Sequence, residues 1–374
     1  MAIPTLLIIQ HLDNGGSERH FHDLASNLDR SVFEPHVIYF EGGEMSGRLE
    51  RLGWMPVTNI PITRATDMKA LAAAWQIRKY LIAHKIRLMV TFHFVADFLG
   101  VLASLGRRRP AIVASRRDMG FTRTDKQKLI GHWIDRRVSR YIAVSDAVRH
   151  AVSDRERIGL DKIQVIYNGT DFDALRGQKW DIPAERKKFG VADDDLVIGC
   201  IANFNPVKCH LMLIEAFAKL KAMAPGAKLK LWLAGDGPMR EAMVELIAKL
   251  KLGDSVILPG RSQTVAKDYQ VSDVVVLPSE SEGFSNTIIE AMAFERPVMA
   301  CAVGGNPEAI RDGETGLLVP AKDSDAMAAA LLKLTQDEGL RKKLGAQGRA
   351  DAMRRFSFQA MMDTTQKLLL DVAG

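Results

Sequence analysis

Apolar residues in this chain gather in short unbroken runs separated by longer amphipathic stretches. Runs at 5–9, 37–40, 88–92, 111–114 and 141–144 occupy the first half, and runs at 196–201, 229–234, 256–258, 274–277, 298–300 and 316–319 the second. Each is too short for a core helix and carries no polar alternation, the pattern of a strand buried on both faces. Between them, stretches such as 211–224 and 239–250 repeat their apolar positions at helical spacing. Buried strands alternating with helices predict α/β architecture, with parallel sheets covered by helices on both faces. Eleven strands divide naturally into two sheets, and the polar stretch 173–190 separates the strand-rich halves. The expected domains are 1–173 and 185–355, with the helix of 356–374 packing back on the first.

Composition narrows this picture. A length of 374 residues favours two domains, and 47% hydrophobic with 26% charged residues gives ordinary globular cores. Aromatics at 7% argue against a nucleic-acid stacking platform, and a net charge of +6 suits an anionic ligand or surface. Cys200, Cys209 and Cys301 form no CxxC pair and read as reduced thiols of a cytoplasmic protein. Residues 1–10 lack the basic start of a signal peptide. The most membrane-like stretch, 88–106, carries His93 and Asp97. A central Asp costs ~2.5–3.5 kcal/mol on insertion, so a strand followed by a helix is expected there.

The chemistry concentrates in 278–292. A strand ends at Leu277, a loop follows, and a helix is expected from about Ser285. Backbone N–H groups at a helix start attract phosphate, and ligands of open α/β sheets gather at the carboxyl ends of strands. Glu282 precedes this helix and Glu290 lies about two turns, or ~12 Å, beyond it. Carboxylates flanking a phosphate-binding turn suit a ligand with hydroxyls on both sides of a phosphate, as in a nucleotide sugar. The alternative is a first-turn charge and a surface residue.

The segment resembles the Glu-x7-Glu signature of the retaining GT-B glycosyltransferases, the large group-one family. Other segments match in order: Asn14-Gly15-Gly16, Tyr141-Ile142-Ala143-Val144-Ser145, Asn168-Gly169-Thr170-Asp171, Pro206-Val207-Lys208, Gly235-Asp236-Gly237-Pro238, Gly304-Gly305-Asn306-Pro307-Glu308 and Asp312-Gly313-Glu314-Thr315-Gly316. The resemblance implies two facing Rossmann-like domains with an interdomain cleft, the donor on the second domain and the acceptor on the first. It implies transfer of a sugar from a nucleoside diphosphate to an acceptor hydroxyl with retention, in surface-glycan or lipopolysaccharide synthesis.

The same resemblance distributes roles. Lys208, the turn Gly283, Phe284, Ser285 and Asn286, and the Gly15-Gly16 loop would meet the donor phosphates. Glu290 would hold the ribose and Glu282 the sugar hydroxyls. Taken alone, Lys208 reads as a solvated lysine, and Gly15-Gly16 as a tight turn. The family's usual arginine five residues before the lysine is replaced here by Asn203, which brings no charge, and Arg261 is a candidate substitute. The family histidine of the first domain corresponds either to His93 or to the place occupied by Arg117. No GxGxxG follows the first strand. Asp171-Phe172-Asp173 and Asp193-Asp194-Asp195 read as turn chemistry, and the His20/His22 spacing points their rings apart, so neither metal nor cofactor is expected. A non-catalytic glycan-binding or scaffold subunit of the same fold stays open on the strength of Asn203 and Arg117, and a nucleotide-sugar epimerase is the alternative enzyme.

Charge is uneven along the chain. Residues 107–157 hold an excess of +8, more than the +6 of the whole. With Phe121, Leu129, Ile130, Trp133 and Ile134, a helix from Lys126 would have an apolar face, either packed in the domain or docked on an anionic membrane surface. The expected partners are a nucleotide sugar, a glycan or lipid-linked acceptor and that membrane surface, with no nucleic acid. The expected location is cytoplasmic, peripheral to the inner membrane face.

Overall fold

The computed structural model describes residues 2–13, 15–62, 68–106, 109–120, 125–262 and 264–374, with the backbone alone at 68 and 125–129. Two compact units share the chain: Met1–Asn168 with Gln359–Gly374, and Gly169–Phe358.

The first unit holds strands β1 (Ile3–Leu12), β2 (Phe33–Gly42), β3 (Val57–Asn59), β4 (Leu88–Phe92), β5 (Ala111–Arg116), β6 (Arg140–Ala143) and β7 (Ile163–Val165) in the order β3-β2-β1-β4-β5-β6-β7. The second holds β8 (Leu196–Ile201), β9 (Leu229–Ala234), β10 (Val256–Gly260), β11 (Val274–Leu277), β12 (Val298–Cys301) and β13 (Leu317–Val319) in the order β10-β9-β8-β11-β12-β13. Every pairing is parallel. The expected α/β class with two parallel Rossmann-like sheets is what forms. The unbroken apolar runs are the reason: Leu6–Ile9 and Val274–Leu277 are fully enclosed, which only a sheet covered on both faces achieves. β3 and β7 escaped the sequence pattern. Each has three residues, lies at a sheet edge and shows no apolar run.

In each sheet the strand order reverses once, at β1/β4 and at β8/β11. Loops leaving the carboxyl ends of such neighbours diverge and open a crevice. The polar stretch read as the break carries two short helices, Phe172–Arg176 and Ile182–Lys188. The final helix, Phe358–Ala373, buries Met361, Met362, Thr365, Leu368 and Leu369 along one face, and Gln366 Oε1 accepts from Asp29 N at 2.7 Å.

The basic region 107–157 is only partly a surface. Arg107, Arg108 and Phe121 lie outside the described residues, as does the Leu129 side chain. In the helix Asp125–Asp135, Ile134 is buried and Trp133 packs toward Phe98 at 6.3 Å between ring centroids. Its described apolar face therefore points into the domain, not toward lipid. Arg116 is interior. Its Nη1 donates to Asp97 Oδ2 at 2.6 Å and its Nη2 to Glu156 Oε2 at 3.1 Å, while Thr91 Oγ1 donates to Asp97 Oδ1 at 2.6 Å.

Candidate active site

Residues from two loops converge at the β8/β11 reversal. After β8, the chain passes through the turn Pro206–Lys208 and enters the helix His210–Met223. After β11, it runs through 278–285 into the helix Asn286–Ala293. The two loops are joined by Glu280 N donating to Val207 O at 3.0 Å, and Thr287 Oγ1 donates to Ile201 O at 3.2 Å. Lys208 Nζ donates to Glu282 Oε1 at 2.5 Å, with side chains 24% and 10% exposed. Gly304 sits directly against this pair. Its φ is +50°, and a Cβ there would overlap the Glu282 carbonyl oxygen, so only glycine allows the loop to rest on residue 282.

Ser285 stands at the N-cap of Asn286–Ala293 without a side-chain capping bond. The helix start, with its partial positive charge, adjoins Gly283 and Phe284, and the Phe284 ring is anchored edge-on to Phe356 at 5.2 Å. Glu290 is not a surface residue. It is 4% exposed and accepts from the Tyr269 hydroxyl at 2.9 Å. Asn203 is exposed in the loop after β8, and Arg261 is exposed beyond the edge strand β10, with β9 between it and β8. The structure thus gathers Lys208, Glu282 and the 283–286 turn, and leaves Arg261 at the sheet edge.

At the β1/β4 reversal of the first unit, His11 is the penultimate residue of β1 and His93 follows β4. The rings stack at 4.5 Å and 18°. His93 holds φ at +71°, an uncommon conformation for a non-glycine residue, at the N-cap of the helix Phe94–Ala103. Glu18, in the first turn of the helix Gly16–Asn27, brings Oε1 to 3.2 Å from His11 Nε2. Its carboxylate folds over Gly15, where a Cβ would overlap Oε2; beside Gly16 there is open space. Asn14 lies outside the described residues.

The hydrogen bond to Glu18 raises the pKa of His11. Burial lowers that of His93, helped by the charge of His11. Burial alone would raise the Glu18 carboxyl, but the His11 bond, a backbone hydrogen bond and the charges of His93 and His11 together outweigh it and the net shift is downward. The shifts favour the charged forms of His11 and Glu18 and the neutral form of His93, whose Nδ1 is enclosed without a hydrogen-bond partner. Arg117, just past β5, donates to Asn168 Oδ1. Burial pushes its pKa down to about 9 against the opposing pull of Glu18, so it stays charged at neutral pH.

His11 and Glu18 were not among the expected site residues. Their positions, at a strand's carboxyl end and in the helix turn after a glycine pair, are the signal that would have found them. With His93 they form the described donor set able to take a divalent metal, their ligand atoms all lying within 4.8 Å of one another. Asp171 caps the helix Phe172–Arg176 through Ala174 N at 2.9 Å, and Asp194 pairs with Lys228 on the surface. Burial pushes the thiols of Cys200 and Cys301 up to about 12, which makes them poor nucleophiles at neutral pH.

His210, under Lys208, is 2% exposed, and neither ring nitrogen has a partner. Burial, and then Lys208, lower its pKa from 6.5 to about 4. The unfolded chain takes up a proton near 6.5 that the native state refuses until about 4. Stability is therefore full above that window and declines as pH falls through it, by up to about 3 kcal/mol from this group. The denaturation midpoint of His210→Leu should fall less steeply across the window than that of the native protein. Equal slopes would show that His210 is not held neutral.

Residues 181–351 match the family described as Glycosyl transferases group 1, and residues 14–174 match Glycosyltransferase Family 4. Among curated proteins, N-acetyl-alpha-D-glucosaminyl L-malate synthase of Bacillus anthracis is 31% identical over 56% of this chain and 54% of its own length. The chain spans about half the length of the curated relatives it matches. Anabaena HepE, crystallised with UDP, has a TM-score of 0.88 at 23% identity, covering 99% of this chain and 100% of that one. The lipopolysaccharide outer core galactosyltransferase WaaB has a TM-score of 0.78 at 15% identity, with 99% of each chain covered. These two likenesses speak to the fold, which is of GT-B type.

Proposed function

Since the chain belongs to the group 1 glycosyltransferases, we propose that it moves a sugar from a nucleoside-diphosphate sugar to an acceptor hydroxyl with retention of configuration. The observation that carries this reading is the Lys208–Glu282 pair at the strand-order reversal, with the start of the helix Asn286–Ala293, which carries the buried Glu290, on the same loop as Glu282. The leaving group is an anionic diphosphate, and stabilising its charge is the main electrostatic task. Lys208 and the 283–286 turn supply positive charge without a metal. In the resting protein Lys208 is neutralised by Glu282. As a diphosphate arrives, the lysine exchanges carboxylate for phosphate and frees Glu282 to accept hydroxyls of the sugar. UDP bound to the Anabaena protein of the same fold supports a nucleotide ligand.

The neutral His93 and the charged Arg117 are assigned to the transferred sugar and the acceptor. No side chain is assigned as a covalent nucleophile. A same-face route, with the leaving phosphate taking the acceptor proton, fits these groups. Surface-glycan or lipopolysaccharide synthesis is the proposed setting, in line with the name of the WaaB neighbour.

Calorimetry on Glu290→Gln tests the nucleotide assignment. A lost charged hydrogen bond costs ~1.5–3 kcal/mol, so nucleotide sugar and free nucleoside diphosphate should both bind roughly tenfold or more weakly. Tyr269→Phe should follow in the same direction with a smaller effect, because it only orients Glu290. Unchanged affinity of Glu290→Gln for both ligands would remove Glu290 from the site.

A further inference from the structure

Among the described residues, the three most exposed large apolar side chains share one helix of the first unit, Met68–Ala83: Ile82 at 67%, Leu71 at 61% and Trp75 at 57%. Ala70, Ala73, Ala74, Ile77 and Leu81 bury the opposite face. At 100° per residue, the three exposed side chains fall within about 40° of one another and span roughly 17 Å. This is a narrow apolar ridge in solvent, where a surface helix ordinarily carries polar groups.

The charge around the ridge has one sign. No Asp or Glu occurs from 68 to 96, while Lys69, Arg78, Lys79, Lys85 and Arg87 are all exposed. Lys79 Nζ lies 3.5 Å from the centroid of the Trp75 ring. Arg78 donates to the Leu105 carbonyl, and Arg109 is exposed. Arg87 Nη2 donates to the Ala373 carbonyl at 3.3 Å. Among the described residues, none of these cations pairs with a carboxylate. Glu34, beside His36 under the Tyr80 and His84 rings, adds one negative charge near the helix end.

We propose that this face docks on an anionic lipid bilayer, with Leu71, Trp75 and Ile82 at the headgroup boundary and the flanking cations on lipid phosphates. Aliphatic side chains with a tryptophan, bordered by long cationic side chains, suit that interface. A second copy of the chain fits poorly, since a two-fold contact would set these cations against themselves. The proposal deepens the proposed function by placing the protein where lipid-linked acceptors lie. Binding is read without donor or acceptor, so its failure is separate from failure of the transfer reaction.

The test is flotation of the full chain with vesicles of phosphatidylcholine alone and of phosphatidylcholine mixed with phosphatidylglycerol. The protein should float with the anionic vesicles only, and added salt should release it. The triple variant Leu71→Ser, Trp75→Ser, Ile82→Ser should lose roughly tenfold or more of that binding while melting like the native protein, because these side chains are solvent-exposed. Charge reversal at Arg78 and Lys79 (R78E, K79E) gives a second, independent loss. Absence of binding to anionic vesicles, or equal binding by the native protein and both variants, would overturn the proposal. So would a native dimer that the triple variant splits, which would make a second copy the occupant.

Discussion

Replacing Lys208 with methionine should cut the turnover number about a hundred- to a thousandfold, the usual cost of removing one preorganised charge from a developing oxyanion. Methionine keeps most of the length and packing of lysine and removes only the charge. The loss should fall on kcat more than on the KM for the nucleotide sugar, because charge on the leaving diphosphate grows in the transition state. The variant also leaves Glu282, 10% exposed, without its cation. Unfolding measurements are the necessary companion: a folded, nearly inactive variant supports a catalytic lysine. A variant that turns over like the native protein would reduce the pair to a structural ion bridge.

The largest stability loss is expected from Arg116→Ala. Arg116 bridges two carboxylates in the interior of the first unit, Asp97 at 0% and Glu156 at 8% side-chain exposure, and its guanidinium lies 4.8 Å from the Tyr141 ring centroid. Its removal strands two buried negative charges. Breaking such a network typically costs about 3–5 kcal/mol, because desolvation of the survivors is no longer offset. A variant carrying Asn at 97 and Gln at 156 along with the alanine should recover part of that stability, since the stranded charges are gone. Denaturant melts of the single and triple variants measure both effects. A single variant within about 1 kcal/mol of the native protein would place the network outside the cooperative core.

The fold was legible wherever the chain forms fully buried strands. β4, β8, β9 and β11 run over the residues that the apolar runs mark, because a parallel strand covered on both faces is mostly apolar, with Thr91 and Lys230 the polar residues among these four. β3 and β7 were not legible, since three residues at a sheet edge need no such run. Lys208 and Glu282 were found because a strand-loop-helix junction is visible locally, and their meeting at 2.5 Å follows from β8 and β11 being neighbours. The His11–Glu18–His93 cluster needs β1 and β4 side by side, a pairing across most of a domain's length that local pattern does not encode. Charge alone left 107–157 open between a packed and a membrane-docked face. Composition counts Arg116 and Arg117 as basic surface, whereas burial turns one into an internal bridge and the other into a half-buried cation beside Asn168.

Sugar transfer with retention is proposed from a nucleoside-diphosphate donor held by Lys208, Glu282 and Glu290. The direct measurement is proton NMR of the reaction as it proceeds, with the purified chain, a panel of nucleotide sugars, simple glycan and lipid-linked acceptors, and excess chelator. One donor should release nucleoside diphosphate, and the anomeric signal of the first-formed product should keep the donor's configuration in the presence of chelator. A product of inverted configuration would contradict the same-face route. Turnover abolished by chelator and restored by one metal would contradict charge stabilisation by Lys208 and the 283–286 turn alone, and no turnover with any donor would contradict sugar transfer.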